Sequence, residues 1–397
     1  MVAVTNLAGH RNSKMIQNTS PTIRLLIFPL DVDVAKPFIA TCNAMGIYVV
    51  GASSAMQSGE GHNVDEFVKL PFITDDNFQP SFNDTIAQYQ ITHIYAPHTG
   101  VWTLLKKLQQ EQPHAHGYHL CVPSPYQADW LQFAPSYQWS EKLLQENFVE
   151  QLHLPESNNQ DLKIRPFLTL GQYASLHKQF VRIPGQCDDL KLIAFAHILR
   201  VLPQGDLVEI GSLSGRSAFA IAWLAARYDV GNLISIDPWE NEKTEDQGEQ
   251  AAILNSELDQ DKTIIDFNKV FLGYIASVGL LDNVGYIRDV SANAVTDYHQ
   301  AIHTGKLSTP ELGDIKVAGE IAMLHIDGNH RYDHVCTDIR TWEPFVMPGG
   351  WVLLDDYVWA FGDGPKRAGD ELLASGRFDV AFSMSDTLFL RKKIADH

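Results

Sequence analysis

Asp206–Ser217 reads DLVEIGSLSGRS. Leu207, Val208 and Ile210 make an apolar run of strand length, and Gly211, Ser212, Ser214 and Gly215 make a small-residue turn. Ala218–Arg227 continues as an apolar helix. A strand, a tight loop and a helix N-terminus in this order turn backbone N–H groups and a positive dipole end toward a ligand. Glycines let that ligand approach the backbone closely. The spacing is G-x-x-x-G, from Gly211 to Gly215, so it departs from the G-x-G-x-x-G of a dinucleotide turn. The next apolar run, Leu233–Ile236, ends in Asp237, an acid placed to suit the two hydroxyls of a ribose. The alternative is a purely structural βα turn, since glycine turns recur throughout α/β folds.

VEIGSLSGRS and ISIDPW together resemble the cofactor-binding motifs of class I S-adenosylmethionine (SAM)-dependent methyltransferases. The resemblance covers about Arg182 to Lys393 and implies a seven-stranded Rossmann-like sheet closed by a C-terminal hairpin. It puts SAM against Glu209, Gly211, Ser212, Gly215 and Ser217, with Asp237 on the ribose. Glu209 sets the loop or meets the methionine amine. Ser217 either donates to the cofactor or caps its own helix. Trp239 either stacks on adenine or packs under a lid. The strand Val284–Ile287 ends near Asp289 and Ser291, which the family uses at the adenine ring.

His325–Tyr357, HIDGNHRYDHVCTDIRTWEPFVMPGGWVLLDDY, holds the chemistry. Asp327, Asp355 and Asp356 stand at the ends of two strands expected to be neighbours, where open α/β sheets bind ligands. Hard oxygen donors of this kind suit Mg²⁺ or another divalent cation, not zinc. The pattern looks like the metal-dependent sugar and macrolide O-methyltransferases, which implies an ion that lowers the pKa of an acceptor hydroxyl. Successive strand residues point to opposite faces, so Asp355 and Asp356 can share an ion only if the strand is already turning there. Otherwise one of them caps or hydrogen-bonds backbone. His330 is a candidate base for the hydroxyl proton, beside Asp327, or else a metal ligand or a loop-ordering group. His325, inside the strand, reads as structural.

Upstream, short apolar runs alternate with helical spacing: strands near Ile23–Phe28, Ile47–Val50, Glu66–Leu70 and His93–Ala96, and helices over Val34–Met45, Phe82–Tyr89 and Val101–Gln110. Such alternation predicts a parallel sheet covered on both faces. With the FVKLPFITDDNF passage, it is similar to the N-terminal Rossmann-like domain of ATP-grasp enzymes. Pro29, Leu30 and Asp31 stand where a glycine loop would follow the first strand, so the expectation is an accessory domain without nucleotide chemistry. Residues 1–20 read as a flexible arm, 21–150 as this domain with an aromatic helical segment, 151–165 as a linker and 166–397 as the methyltransferase domain. The aromatic segment, with Trp130, Phe133, Tyr137 and Trp139, either packs or binds a flat ligand. Glu240–Lys262 is either a lid or a surface insertion.

Thirty Lys and Arg against 48 Asp and Glu give a net charge of −18 over 397 residues. That balance argues against a nucleic-acid partner held by its phosphates. The four cysteines have no CxxC pair and read as reduced thiols. No apolar run reaches the length of a membrane span, so a cytoplasmic chain without a membrane partner is expected. The fold class expected is α/β, with two Rossmann-like sheets of which the C-terminal one has seven strands. The function expected is SAM-dependent O-methyl transfer, assisted by Mg²⁺ or a similar ion, to a small-molecule hydroxylated acceptor such as a sugar or natural product. A homodimer is implied by the family alone. The alternatives are a metal-independent N- or O-methyltransferase, a non-catalytic SAM- or nucleotide-binding scaffold, and an NAD-dependent oxidoreductase, which the missing G-x-G-x-x-G opposes.

Overall fold

The computed structural model describes residues 23–111, 117–146, 164–240, 243, 266–358, 360 and 362–394. The arm, the linker stretch Glu156–Asp161 and residues 244–262 of the acidic segment lie outside the described residues. The chain divides into two compact units, residues 1–134 and 135–397.

In the first unit, five parallel strands take the order β3-β2-β1-β4-β5: β1 Arg24–Ile27, β2 Tyr48–Ser53, β3 Glu66–Lys69, β4 His93–Tyr95 and β5 His119–Leu120. The two-residue β5 is too short for sequence periodicity to reveal. Helices Ala35–Ala44, Phe78–Tyr89 and Thr99–Glu111 supply the crossovers. Leu25 and Ile27 face one buried cluster while Leu26 and Phe28 face another, as a sheet covered on both faces requires.

The second unit holds seven strands in the order β13-β14-β12-β11-β6-β7-β8. They are β6 Asp206–Ile210, β7 Leu233–Ile236, β8 Val284–Ile287, β11 Ile321–Ile326, β12 Val346–Leu354, β13 Phe378–Met384 and β14 Thr387–Lys392. Strands β6, β7, β8, β11 and β12 run parallel, whereas β14 lies antiparallel to both β12 and β13. The strand order reverses between β6 and β11, which opens a crevice at their carboxyl ends. Every residue of β6, β7, β8 and β11 is buried, which is why these strands are mostly apolar and show no alternation, with Asp206, Glu209, Ser235 and His325 as their buried polar members.

Pro348–Gly350 lies inside β12 as a bulge: Ile321 pairs with Val346, and Met323 already pairs with Trp351. An unforeseen antiparallel hairpin, β9 Lys306–Thr309 with β10 Gly313–Lys316, precedes β11. Between Pro125 and Gln145 the aromatic segment is helical; its Trp139 is 6% exposed, edge-on to Tyr173 and stacked on His177, whereas Trp130 is 54% exposed. Among the described residues no helix is long and apolar enough to cross a membrane.

Candidate active site

A cavity of about 600 Å³ opens at the carboxyl ends of β6, β7, β8, β11 and β12, all within the second unit. At its centre Gly211 has φ +84°, and a Cβ there would stand 1.9 Å from the Asp327 carbonyl oxygen. Only glycine permits both that backbone conformation and that approach of two loops. Gly211 N–H donates to Ile236 O at 2.8 Å, and Gly215, also left-handed at φ +85°, donates to Ser212 O at 2.7 Å. The helix Arg216–Tyr228 starts with no side-chain cap, so Ser217 does not cap it; Ser217 is buried and lines the cavity.

Glu209 is fully buried and absent from the cavity wall. It accepts from Ser212 Oγ at 2.5 Å and lies 3.1 Å from His325 Nδ1, so it sets the loop from behind. Asp237 lines the wall and accepts three backbone N–H groups: Ser212 at 3.1 Å, Leu213 at 3.0 Å and Trp239 at 2.8 Å. Burial raises the Asp237 carboxyl above its ordinary range, and these three bonds oppose the rise. An ionised carboxylate has about four acceptor sites, so one remains for a further donor.

Trp239 is a correction. Its ring is 1% exposed and does not line the cavity. It packs on Phe271 and Tyr274, with ring centroids at 5.1 and 4.7 Å, and its indole N–H donates to Leu213 O at 2.8 Å. An indole at the start of a loop is better buried against three aromatic rings than left on a cofactor, and the positive φ of Trp239, +43°, turns it that way. Asp289 and Ser291 line the wall. Asp289 Oδ1 accepts from Val290 N at 2.7 Å. The Ser291 hydroxyl donates to Asp338, a buried acid of the helix Tyr332–Trp342 that faces the same cavity.

The acids gather at the far end. Asp355 N–H still follows the β11 ladder, donating to Ile326 O at 2.9 Å, and Asp356 then takes φ +53°. The strand has therefore already turned, and both carboxylates reach the cavity with Asp327. Two overlapping sets bring ligand atoms within 4.8 Å of one another: His325, Asp327 and Asp355, and Asp327, His330 and Asp356. His330 Nε2 stands 2.8 Å from Asp356 Oδ2. The residue that sequence reading missed is Lys191. Its ammonium donates to both Asp355 oxygens, at 2.8 and 2.7 Å, and lies 2.9 Å from Asp386 Oδ1. Burial alone would lower the Lys191 pKa, but Asp355 and Asp327 outweigh it and hold the ammonium above its ordinary value. Burial would likewise raise Asp355, yet Lys191, His325 and the Thr387 hydroxyl hold it below the usual carboxylate range. Burial and the neighbouring Asp355 push the Asp327 carboxyl well up, against Lys191.

Residues 208–357 match the family model described as "Methyltransferase domain". The second unit therefore contains a methyltransferase domain over residues 208–357. No curated protein matches the chain. Among solved structures, the O-methyltransferase NovP is similar at 18% identity and TM-score 0.37, with 51% of this chain and 80% of that one covered. CalS11, a TDP-rhamnose 3'-O-methyltransferase of calicheamicin biosynthesis, is similar at 15% identity and TM-score 0.30, covering 64% and 93%. The MycE methyltransferase of the mycinamycin pathway, solved with Mg, SAH and mycinamycin VI, is similar at 14% identity and TM-score 0.35, covering 58% and 55%.

Besides Lys191, the wall residue Asp338 went unnoticed in the sequence. For Lys191 a signal was present. It is the only Lys or Arg in the helix Asp189–Ile198, whose residues 191–198 are all buried, and an ammonium in such a helix requires a partner. Asp338 gave none: it stands on an ordinary amphipathic helix and meets the cavity only because that helix packs beneath Ser291.

Proposed function

We propose that the methyltransferase domain transfers a methyl group from SAM to a hydroxyl of a small polyhydroxylated acceptor, a sugar or natural product, with a divalent cation at the acid cluster. One observation carries the reading: carboxylates from the ends of two adjacent strands, Asp327 and Asp356, converge with His330 on one cavity next to the glycine turn. The donor set fits a hard cation: two carboxylates, Asp356 buried and Asp327 partly buried, supply oxygen ligands, with His330 beside them. A divalent ion there would supply Lewis acidity toward an acceptor oxygen.

The chain's own residues do the rest. Gly211, Ser212, Gly215 and Ser217 wall the methionine end, Asp237 holds the ribose through its remaining acceptor site, and Asp289 and Ser291 meet the adenine. His330 takes the hydroxyl proton on its imidazole, and Asp356, 2.8 Å from Nε2, orients the ring. Lys191 offsets part of the acidic charge that would otherwise repel the deprotonating oxygen. In-line placement accounts for most of the remaining barrier reduction.

Calorimetric titration with S-adenosylhomocysteine (SAH), followed by an acceptor screen with and without Mg²⁺, tests this reading. SAH at micromolar affinity or better, roughly −8 kcal/mol, and turnover lost in EDTA are the expected results. Equal turnover in EDTA and in Mg²⁺ would leave the metal-independent methyltransferase. SAH binding with no turnover on any hydroxylated acceptor would leave the scaffold.

A further inference from the structure

We propose that Lys191 withholds Asp355 from the divalent ion, so that Asp327 and Asp356 are the carboxylates that bind it. The proposal rests on the metal-assisted reading above. Three acids at two strand ends suggest a three-carboxylate site, but the structure offers two overlapping ligand sets that share Asp327. The set with His325 includes Asp355, and the set with His330 includes Asp356.

Lys191 decides between them. Its ammonium meets both oxygens of Asp355, at 2.8 and 2.7 Å, and the Thr387 hydroxyl donates to Oδ1 as well. Lys191 is 2% exposed and Asp355 is 5% exposed, so water screens this pair little. An ion on Asp355 would sit against a buried ammonium, and three of the carboxylate's roughly four acceptor sites already receive donors. Asp356, turned by its positive φ, is met instead by His330 Nε2 at 2.8 Å. An imidazole carries a ring-nitrogen lone pair that can face a cation, whereas an ammonium has donors only. Asp355 then serves as a positioning residue. Through Lys191 it ties the start of the helix Asp189–Ile198 to the end of β12, and through Asp386 and Thr387 to the β13–β14 turn.

The decisive variant removes both charges of the pair at once: Lys191→Met with Asp355→Asn in the full chain, so the local net charge is unchanged. Mn²⁺ is titrated into the SAH-loaded protein and followed by the electron paramagnetic resonance of free Mn²⁺, with SAH affinity and thermal midpoint as controls of folding. The double variant is expected to keep the wild-type Mn²⁺ Kd within about threefold, while Asp327→Asn and Asp356→Asn each weaken it about 100-fold or more. Lys191→Met alone is expected to tighten Mn²⁺ by about tenfold, since it adds net negative charge. Should the double variant fail to fold, Asp355→Asn alone, with Lys191 still held by Asp386, is expected to lose no more than about tenfold. Loss of Mn²⁺ in the double variant, or in Asp355→Asn, as complete as in Asp327→Asn would overturn the proposal and leave the metal reading standing. Wild-type protein that binds SAH but no Mn²⁺ would remove the metal reading itself, and the proposal with it.

Discussion

The two units share runs of neighbouring parallel strands, all five in the first and five of seven in the second, and their strand ends differ. In the first unit, β1 runs into Phe28 and Leu30, both buried, and Leu30 packs where a side chain on Gly51 would have to go. Ser53, at the end of β2, donates to Asp31 and accepts from the N–H groups of Ala55 and Met56. Lys69, at the end of β3, spends its ammonium on the carbonyls of Ser54 and Met56. Polar groups there satisfy one another. In the second unit the equivalent positions are Gly211, Asp237, Asp289, Asp327 and Asp355, and they surround a cavity. One architecture thus ends its strands in closed loops in one case and in an open acidic crevice in the other. The residues just past each strand decide which, not the sheet.

The largest test of that contrast is Asp327→Asn. SAH affinity should be preserved while turnover falls by about 10³-fold or more, the scale of a lost electrostatic stabiliser; full turnover would remove the acid cluster from the chemistry. Gly211→Ala comes next. Its Cβ would collide with the Asp327 carbonyl oxygen in a left-handed conformation, so about 3 kcal/mol of stability should disappear together with measurable SAH binding. Denaturant unfolding and calorimetry read both. Asp237→Ala should weaken SAH roughly 10- to 100-fold, or about 1.4–2.7 kcal/mol, by freeing the loop and removing the ribose acceptor.

A smaller effect depends on pH. Burial, opposed by the Ser291 hydroxyl, pushes the Asp338 carboxyl up from 3.8 to about 6. The folded state therefore holds this proton more tightly than the unfolded chain does. Its stabilising contribution is full below about pH 4 and is lost as pH rises to about 6, at most about 3 kcal/mol. Asp338→Asn should flatten the thermal midpoint across that window relative to wild type, and an unchanged slope would show that the acid titrates normally. Smallest is Ser53→Ala in the first unit. Losing the bonds to Asp31 and the two N–H groups should cost about 1 kcal/mol and leave SAH affinity untouched. A shift in SAH affinity would break the contrast drawn above, because a closed strand end would then be acting on the site.

Much of this was legible in the sequence because it is local. DLVEIGSLSGRS predicts its strand, turn and helix from apolar period and glycine placement, and β6, Gly211 and the helix from Arg216 follow that reading. The acids that end β7, β11 and β12 were identifiable for the same reason: a strand end is a position along the chain. The direction in which a residue faces is not. Trp239 and Asp237 are two residues apart, yet one packs in an aromatic core and the other lines the cavity, a choice made by backbone φ and by Phe271, Tyr274 and Tyr286 from distant segments. Lys191 and Asp355 are 164 residues apart, and no spacing rule connects them.

Sequence alone determined the α/β class, the alternation that gives both sheets their parallel strands, the glycine turn and the supply of acids, because secondary structure follows from short-range sterics and apolar periodicity. Tertiary structure alone decided which acid is already paired with an ammonium and which remains open to a ligand. Charge pairing depends on distance in space and on the water that packing excludes, and neither is a property of a residue's neighbours along the chain.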